Sequence, residues 1–305
     1  LASGRVESAG EVLGFQESSG YITESQGVLE TLNSLFDPEI ANIMTVHNAL
    51  LEAILSAPEE DTPRLVYADW LQENDEPDRA EFIRVEIELA RTPPLTEADE
   101  RRRKSLLNRR AELLKVHRLR WLEPFLPFVR EPTFERGFID SLDVPALTFL
   151  QLAERWFALT PLTRVKFTTC SALDATTQIY DSWTPALFTS RSLAKLRVID
   201  LEQCQLTPRD MVIFSRSPNL PKLKELSLSR NQIGTEGAIA LAGMKQLSGL
   251  ESLDLVGNSI GDPGARAIAQ SPYLGGLKEL RISRNSFKKK SWTMLELRFG
   301  MALVG

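Results

Sequence analysis

One nine-residue pattern recurs through the C-terminal half of the chain at a fixed interval. Leu196-x-x-Ile199-x-Leu201-x-x-Cys204 returns as Leu223-x-x-Leu226-x-Leu228-x-x-Asn231, as Leu250-x-x-Leu253-x-Leu255-x-x-Asn258, and as Leu277-x-x-Leu280-x-Ile282-x-x-Asn285. These copies start 27 residues apart. A fixed period of this length means one structural unit stacked on copies of itself. Apolar residues two apart on a short strand point to the same side, so each copy stacks its leucines on those of the next. The ninth position turns the chain and is expected to hydrogen-bond across repeats, through an Asn amide or a Cys. An earlier copy, Leu162-x-x-Val165-x-Phe167-x-x-Cys170, starts 34 residues before Leu196, which predicts an insertion around residues 180–185. A strand at residues 138–144 is expected to open the array.

The second half of each unit reads as a helix. Gly234-Thr235-Glu236-Gly237-Ala238 aligns with Gly261-Asp262-Pro263-Gly264-Ala265, with Thr235 and Asp262 as candidate N-caps and Pro263 suited to a first helical turn. The Gly-x-x-Gly spacing lacks the Lys-Ser/Thr of a phosphate-binding loop. The pattern is similar to leucine-rich repeats, and its length resembles their ribonuclease-inhibitor-like class. That resemblance implies an α/β fold: a solenoid with parallel strands on the concave side and helices on the convex side. It also implies that residues between the leucines face a partner. One row is then Lys166, Asp200, Ser227, Asp254 and Arg281; a second is Glu202, Ser229, Val256 and Ser283. A third is Arg164, Val198, Glu225, Ser252 and Glu279; a fourth is Gln203, Arg230, Gly257 and Arg284. The expected contact residues are Lys166, Asp200, Glu202, Glu225, Ser227, Arg230, Asp254, Glu279, Arg281 and Arg284. Cys170, Cys204, Asn231, Asn258 and Asn285 form the expected structural ladder, the cysteines as reduced neighbouring thiols. These rows are poor in the aromatic anchors of tight interfaces, so Trp183, Tyr273 and Trp292 are candidate anchors at the edges. Residues 291–299 are expected to cap the open end of the array.

Upstream the pattern is absent. Residues 1–43 carry a net charge of −6, and the first 27 are rich in Ser, Gly, Glu and Gln. Such a stretch buries too little to order itself. Met44 is read as the initiator, with residues 1–43 as an upstream or non-native segment. Residues 44–92 read as three short helices: residues 46–56 capped by Thr45, one from Asp61 with Leu65, Val66, Trp70 and Leu71 on its apolar face, and one after Pro77. The string Asp61-Thr62-Pro63-Arg64-Leu65-Val66-Tyr67-Ala68-Asp69-Trp70-Leu71, with Arg79-Ala80-Glu81-Phe82-Ile83-Arg84, resembles the bacterial repeat-companion domain known mainly from planctomycetes. The resemblance covers about residues 46–92. It implies a helical module placed before a repeat array, and no activity. Asp61, Arg64, Tyr67, Asp69 and Arg84 are a candidate recognition patch, set against a purely structural role as caps and ion pairs, with Asp61 as helix cap.

Residues 93–133 read as a linker: a basic helix opened by Thr96-x-x-Asp99 and an apolar hinge from Trp121 to Phe128. Residues 134–305 complete the domain plan. Residues 44–95 carry −8 and residues 96–136 carry +4. The bases of the linker helix are therefore expected to face the acidic module. Acids dilute its basic stripe and aromatics are absent until Trp121, which argues against nucleic acid. His117, near the helix end, reads as solvated and favourable to the helix dipole.

The catalytic inventory is thin. Two histidines, His47 and His117, and two cysteines leave no Cys/His metal cluster and no Ser/His/Asp arrangement. The sequence calls for no metal and no cofactor. No run of apolar residues is long enough to span a membrane. The expected function is non-catalytic protein binding in the cytoplasm through the concave repeat face, with an unidentified protein partner. Two other readings stand beside it. One is a scaffold in which module and repeats pack on each other. The other is a carboxylate enzyme built on Asp200 and Asp254, about 10 Å apart by strand spacing.

Overall fold

The structure is a computed structural model that describes residues 38–168, 183–220 and 223–304, with side chains from residue 43 on. The chain divides into two units at Leu50. The first contributes the start of one helix; the second, Leu51–Gly305, holds every other described element. The shared helix, α1, covers Pro38–Ser56. It corrects the expected start: Thr45 lies inside the helix instead of capping it. Within the second unit Leu51 and Ile54 are buried.

Helix α2 (Asp61–Glu73) is followed by α3 (Pro77–Arg91), which Pro77 opens. Asp75, at a φ of 62°, makes the turn between them. Ala68, Ala80, Phe82 and Ile83 pack the interior, whereas Val66, expected there, is exposed. Helix α4 (Glu97–Leu122) starts with the predicted capping box: Thr96 Oγ1 accepts from the Asp99 N–H, and the Asp99 carboxylate accepts from the Thr96 N–H. Only part of its apolar stripe docks: Leu113 and Leu122 are buried and Leu114 and Trp121 pack against the core, while Leu107 and Val116 are exposed. Ion pairs to α3 add to this packing: Arg102 with Glu88, Arg109 with Glu81, Arg110 with Glu86. Arg103 adds hydrogen bonds to the Leu89 and Thr92 carbonyls. The linker bases thus face the acidic module as their charges predict. His117 is not the solvated residue expected: its Nε2 lies 2.9 Å from Asp78 Oδ2 and its ring stacks on Trp121.

The sheet starts with a hairpin that the repeat pattern did not show. Strand β1 (Arg130–Glu135) pairs antiparallel with β2 (Phe138–Val144). Arg136 and Gly137 turn between them at φ of 49° and 86°. The Gly137 turn sits against α3 so closely that a Cβ there would lie 2.7 Å from Ile83 Cα. Only glycine fits both the angle and the approach.

From β2 onward every neighbouring pair is parallel and in sequence order. The strands are β3 (Arg164–Phe167), β4 (Val198–Asp200), β5 (Glu225–Ser227), β6 (Ser252–Asp254), β7 (Glu279–Arg281) and β8 (Leu303–Val304). Among the described residues these eight strands form one sheet. Helices α5 (Ala146–Phe157), α6 (Trp183–Thr189), α7 (Pro208–Phe214), α8 (Gly234–Ala242), α9 (Asp262–Gln270) and α10 (Lys289–Phe299) lie between consecutive strands. In each unit the first pattern leucine, just before the strand, and the second, within it, are buried: Leu196 and Ile199, Leu223 and Leu226, Leu250 and Leu253, Leu277 and Leu280. One apolar core runs from Phe82 and Phe134 to Leu295. The insertion expected at residues 180–185 and the ladder position Cys170 lie outside the described residues, except that α6 starts at Trp183.

The helix caps also differ from expectation. The N-cap positions of α8 and α9 are Ile233 and Gly261, and neither caps through a side chain. Thr235 and Asp262 reach forward into the next unit. Thr235 Oγ1 accepts from the Gly261 N–H at 2.9 Å. Asp262 Oδ1 accepts from the Lys288 N–H at 2.9 Å and the Ser291 hydroxyl at 2.6 Å. These bonds hold the Asp262 carboxyl below its usual range, the Ser291 hydroxyl contributing most.

Candidate functional site

Strand register decides which of the expected contact residues meet. Lys166, Asp200, Ser227, Asp254 and Arg281 are Cα partners across β3 to β7, so the first row is continuous. Arg164, Val198, Glu225, Ser252 and Glu279 form the other strand row in the same way. Their members on β4 to β7, together with Glu202, Leu226, Ser229, Arg230 and Val256, line a depression of about 550 Å³; Lys166 and Arg164 stand beyond it on β3. Ser229 is itself buried, which narrows the second row. Arg230 and Arg284 stand in the turns after β5 and β7, both at a φ of 56°.

The depression holds five carboxylates, from Asp200, Glu202, Glu225, Asp254 and Glu279, against the guanidiniums of Arg230 and Arg281. The ion pairs within it and at its rim are long or exposed. Arg230 lies 3.3 Å from Glu202, Lys166 lies 3.7 Å from Asp200 and 3.9 Å from Glu202, and Arg164 lies 3.7 Å from Glu225. Arg281 holds Glu279 at 2.7 Å with half its side chain in solvent. Upstream, Asp143, the register partner of Lys166, has its carboxyl pushed up by burial.

The carboxylate pair considered for catalysis does not converge. Asp200 and Asp254 are separated by β5. Asp200 Oδ1 accepts from the Glu202 N–H at 2.8 Å, and Asp254 Oδ1 from the Val256 N–H at 2.9 Å. Each carboxylate closes a turn on its own strand end. Among the described residues no group of His, Cys, Asp and Glu is arranged to hold a metal ion.

The ladder is held by hydrogen bonds between units. Asn231 Nδ2 donates to the Leu201 and Leu228 carbonyls at 2.9 and 2.8 Å, and its Oδ1 accepts from the Leu206 N–H at 3.0 Å. Asn258 Nδ2 repeats the donor pattern on Leu228 and Leu255. Asn285 Nδ2 donates to Leu255 and Ile282, and its Oδ1 accepts from the Asn258 and Ile260 N–H groups. Cys204 is buried in the equivalent place, and its thiol donates to the Phe167 carbonyl at 3.4 Å.

The five module residues do not form one surface. Arg64 and Tyr67 are buried. Asp69 pairs with Arg84 at 2.7 Å in the open. Asp61 lies just after the N-cap position, Glu60, and pairs with Arg91 at 2.7 Å instead of capping. Two of the edge aromatics are engaged within the chain, Trp292 on the helix expected to cap the array. Trp183 is buried, and Trp292 stacks on Phe287 and donates to Glu296 Oε1. A second polar cluster, around Arg64, Arg136, Arg164 and Arg197, has no counterpart among the expected sites. Arginines so widely scattered along the chain give no spacing signal; only Arg136-Gly137 marks a constrained turn.

Two segments, residues 219–242 and 248–269, match the family model described as Leucine Rich repeat. This stretch is a leucine-rich repeat region. It includes β5, β6, most of α9 and all of α8, which is the centre of the carboxylate-lined depression. Proteins with such repeats generally bind other proteins, and the family is typically non-catalytic. No curated protein matches the chain. Among the described residues no helix is long and apolar enough to cross a membrane.

Proposed function

We propose that this chain is a non-catalytic interaction protein whose leucine-rich repeats, arranged as a solenoid, dock a protein partner on the strand face. In this reading residues 44–92 are a repeat-companion-type helical module, residues 93–133 a linker, and residues 134–305 the docking array, working in the cytoplasm. The observation that carries the reading is the excess of carboxylates in the depression over β4 to β7, five against two guanidiniums. A surface of this sign recruits a basic segment and speeds its encounter. The partner's contact is accordingly a lysine- or arginine-rich stretch.

The test uses the full chain and two labelled peptides, one lysine-rich and one glutamate-rich, monitored by fluorescence anisotropy. The variant is Glu202→Gln, Glu225→Gln, Glu279→Gln, which keeps side-chain shape and spares the turn-closing Asp200 and Asp254. The basic peptide is expected to bind, to weaken with salt, and to lose at least about tenfold in affinity to the variant. Equal binding of both peptides, or an unchanged variant, refutes the reading.

The scaffold reading has one observation in its favour. Arg197, just before β4, pairs with Glu59 at 2.9 Å, and Arg136 donates to the Glu59 carbonyl at 2.7 Å. The start of the array is thereby tied to the loop before α2. This joins module and repeats without using the depression, so the two readings are compatible.

A further inference from the structure

Between the loop before α2 and the ends of β1, β2 and β3 lies a hollow of about 120 Å³, open on one side to solvent. That is room for roughly four water molecules or one small organic ion. Its walls are almost entirely charged. Arg64, Arg136, Arg164 and Arg197 face Glu59, Glu135 and Asp140 across it.

Three of the four guanidiniums have an acid beside them. Arg197 holds Glu59 at 2.9 Å, Arg164 Nε lies 3.2 Å from Asp140 Oδ2, and Arg136 Nε lies 3.4 Å from Asp61 Oδ1. Arg64 differs. Only 3% of it is exposed, no carboxylate among the described residues lies within ion-pair distance, and its Nε has no hydrogen-bond partner. One Nη donates to the Glu60 carbonyl at 2.8 Å, and the Phe138 ring lies 5.7 Å from its guanidinium carbon. Burial drives its pKa down, the proximity of Arg136 adding to that. Arg136 Nε is also buried without a hydrogen bond, but it faces Asp61 Oδ1, an acceptor in the same state. Asp61, Glu59 and Glu135 act on the Arg64 guanidinium from a distance, but its buried Nε keeps no hydrogen-bond partner, and a buried donor left in that state favours an acceptor beside it.

The opposite wall narrows the class of anion. Glu135 and Asp140 share a hydrogen bond, and burial together with the Asp140 charge raises the Glu135 carboxyl. Thr163 Oγ1 donates to Asp140 Oδ1 at 2.5 Å. Two carboxyl groups there disfavour a dianion such as sulfate. A planar monoanion can take the parallel N–H groups of a guanidinium on one side and sets only a single charge against the carboxyls on the other.

We propose that this hollow is a binding site for one carboxylate group, seated on Arg64 and facing the Glu135–Asp140 pair. The group belongs either to a small free acid or to a peptide C-terminus, and it enters between the helical module and the first repeats.

The experiment is saturation-transfer NMR on the full chain with acetate, with acetate in competition with sulfate, and with a tripeptide whose C-terminus is free or amidated. Acetate or the free-ended tripeptide is expected to bind saturably with a dissociation constant on the order of 1 mM. Binding of acetate alone assigns the site to free acids. Binding of the free but not the amidated peptide assigns it to a C-terminus. Arg64→Met keeps the stem over Phe138 and is expected to weaken binding at least about tenfold. Should that variant fail to fold, Glu135→Gln decides. It leaves Asp140, Arg64, Arg136 and Arg164 facing the site, and it is expected to remove the weakening seen as pH rises through the Glu135 titration. Absence of saturable binding by either carboxylate overturns the proposal. So does displacement of acetate by an equal concentration of sulfate, undiminished binding in a folded Arg64→Met chain, or an unaltered pH profile in Glu135→Gln.

Discussion

The asparagine ladder makes a quantitative prediction, because its members are not equally engaged. Asn231→Ala removes the partner of the Leu206 N–H and of the Leu201 carbonyl. Both groups are interior, and a buried orphan costs about 1–3 kcal/mol. The expected loss is therefore about 4 kcal/mol. Asn258→Ala is different. The Leu228 carbonyl keeps Asn231 Nδ2, and the Leu255 carbonyl keeps Asn285 Nδ2. Moreover Asn258 Oδ1 is buried with no hydrogen-bond partner, so its removal relieves a cost. Two ordinary hydrogen bonds at about 0.5–1.5 kcal/mol each, less that relief, leave a loss near 1 kcal/mol. Asn231→Cys should fall between Asn231→Ala and wild type. A thiol there can donate to the Leu201 carbonyl, as the Cys204 thiol donates to Phe167, while the Leu206 N–H stays orphaned. Urea unfolding monitored by far-UV circular dichroism gives all three values, with the slope checked for constancy. If Asn258→Ala costs as much as Asn231→Ala, the ladder is not a sum of individual hydrogen bonds and the reasoning fails.

Gly137→Ala is expected to cost about 3 kcal/mol or more, since a Cβ at a φ of 86° is strained and would overlap Ile83 Cα at 2.7 Å. Thermal unfolding checks it, and an unchanged midpoint would mean the hairpin does not press on α3. Glu251 lies between Lys224 and Lys278 of the neighbouring units at 2.9 and 2.6 Å, and hydrogen bonds from Lys278 and then Lys224 lower its pKa from 4.5 to about 2. Its contribution to stability is thus complete above 4.5 and is lost as pH falls to about 2. The carboxylate is solvated, so the effect is small. The difference in melting temperature between wild type and Glu251→Gln should be larger near neutrality than near pH 2, and a pH-independent difference refutes the pairing.

The repeat array was legible because its signal is periodic and its cause is geometric. Leucines two apart on a strand must face one side, and the observed register joins the residues that the 27-residue interval aligns, Asp200 with Ser227 and Ser227 with Asp254. The hairpin of β1 and β2 was half legible, because residues 130–135 occur once and carry no repeat. Cap assignment failed at Thr235 and Asp262 for a related reason. A capping residue is recognised by its neighbours within the next three positions, whereas these side chains find their partners 26 residues on. The module patch failed differently. Arg64 and Arg84 look alike in sequence, yet one is buried beside Phe138 and the other pairs with Asp69 at the surface. Charge predicts a partner; it does not predict burial.

The same distinction separates the two kinds of ion pair in the molecule, and it bears on why the strand face suits binding. Where α4 docks on α3, Glu86 is buried, burial raises its carboxyl against the pull of Arg110, and removing either member leaves a charge without compensation. On the strand face Lys166 meets Asp200 and Glu202 at 3.7 and 3.9 Å, and Arg164 meets Glu225 at 3.7 Å, with both cations more than 40% exposed. Exposed pairs of this kind are worth about 0–1 kcal/mol each. Exchanging them for the cations of an incoming segment therefore costs little, while the buried asparagines and the forward bonds of Thr235 and Asp262 keep the units in register. Substitutions at Glu202, Glu225 and Glu279 should consequently change affinity far more than stability. In the array, the polar groups that hold adjacent units together and those offered to a partner are largely different residues.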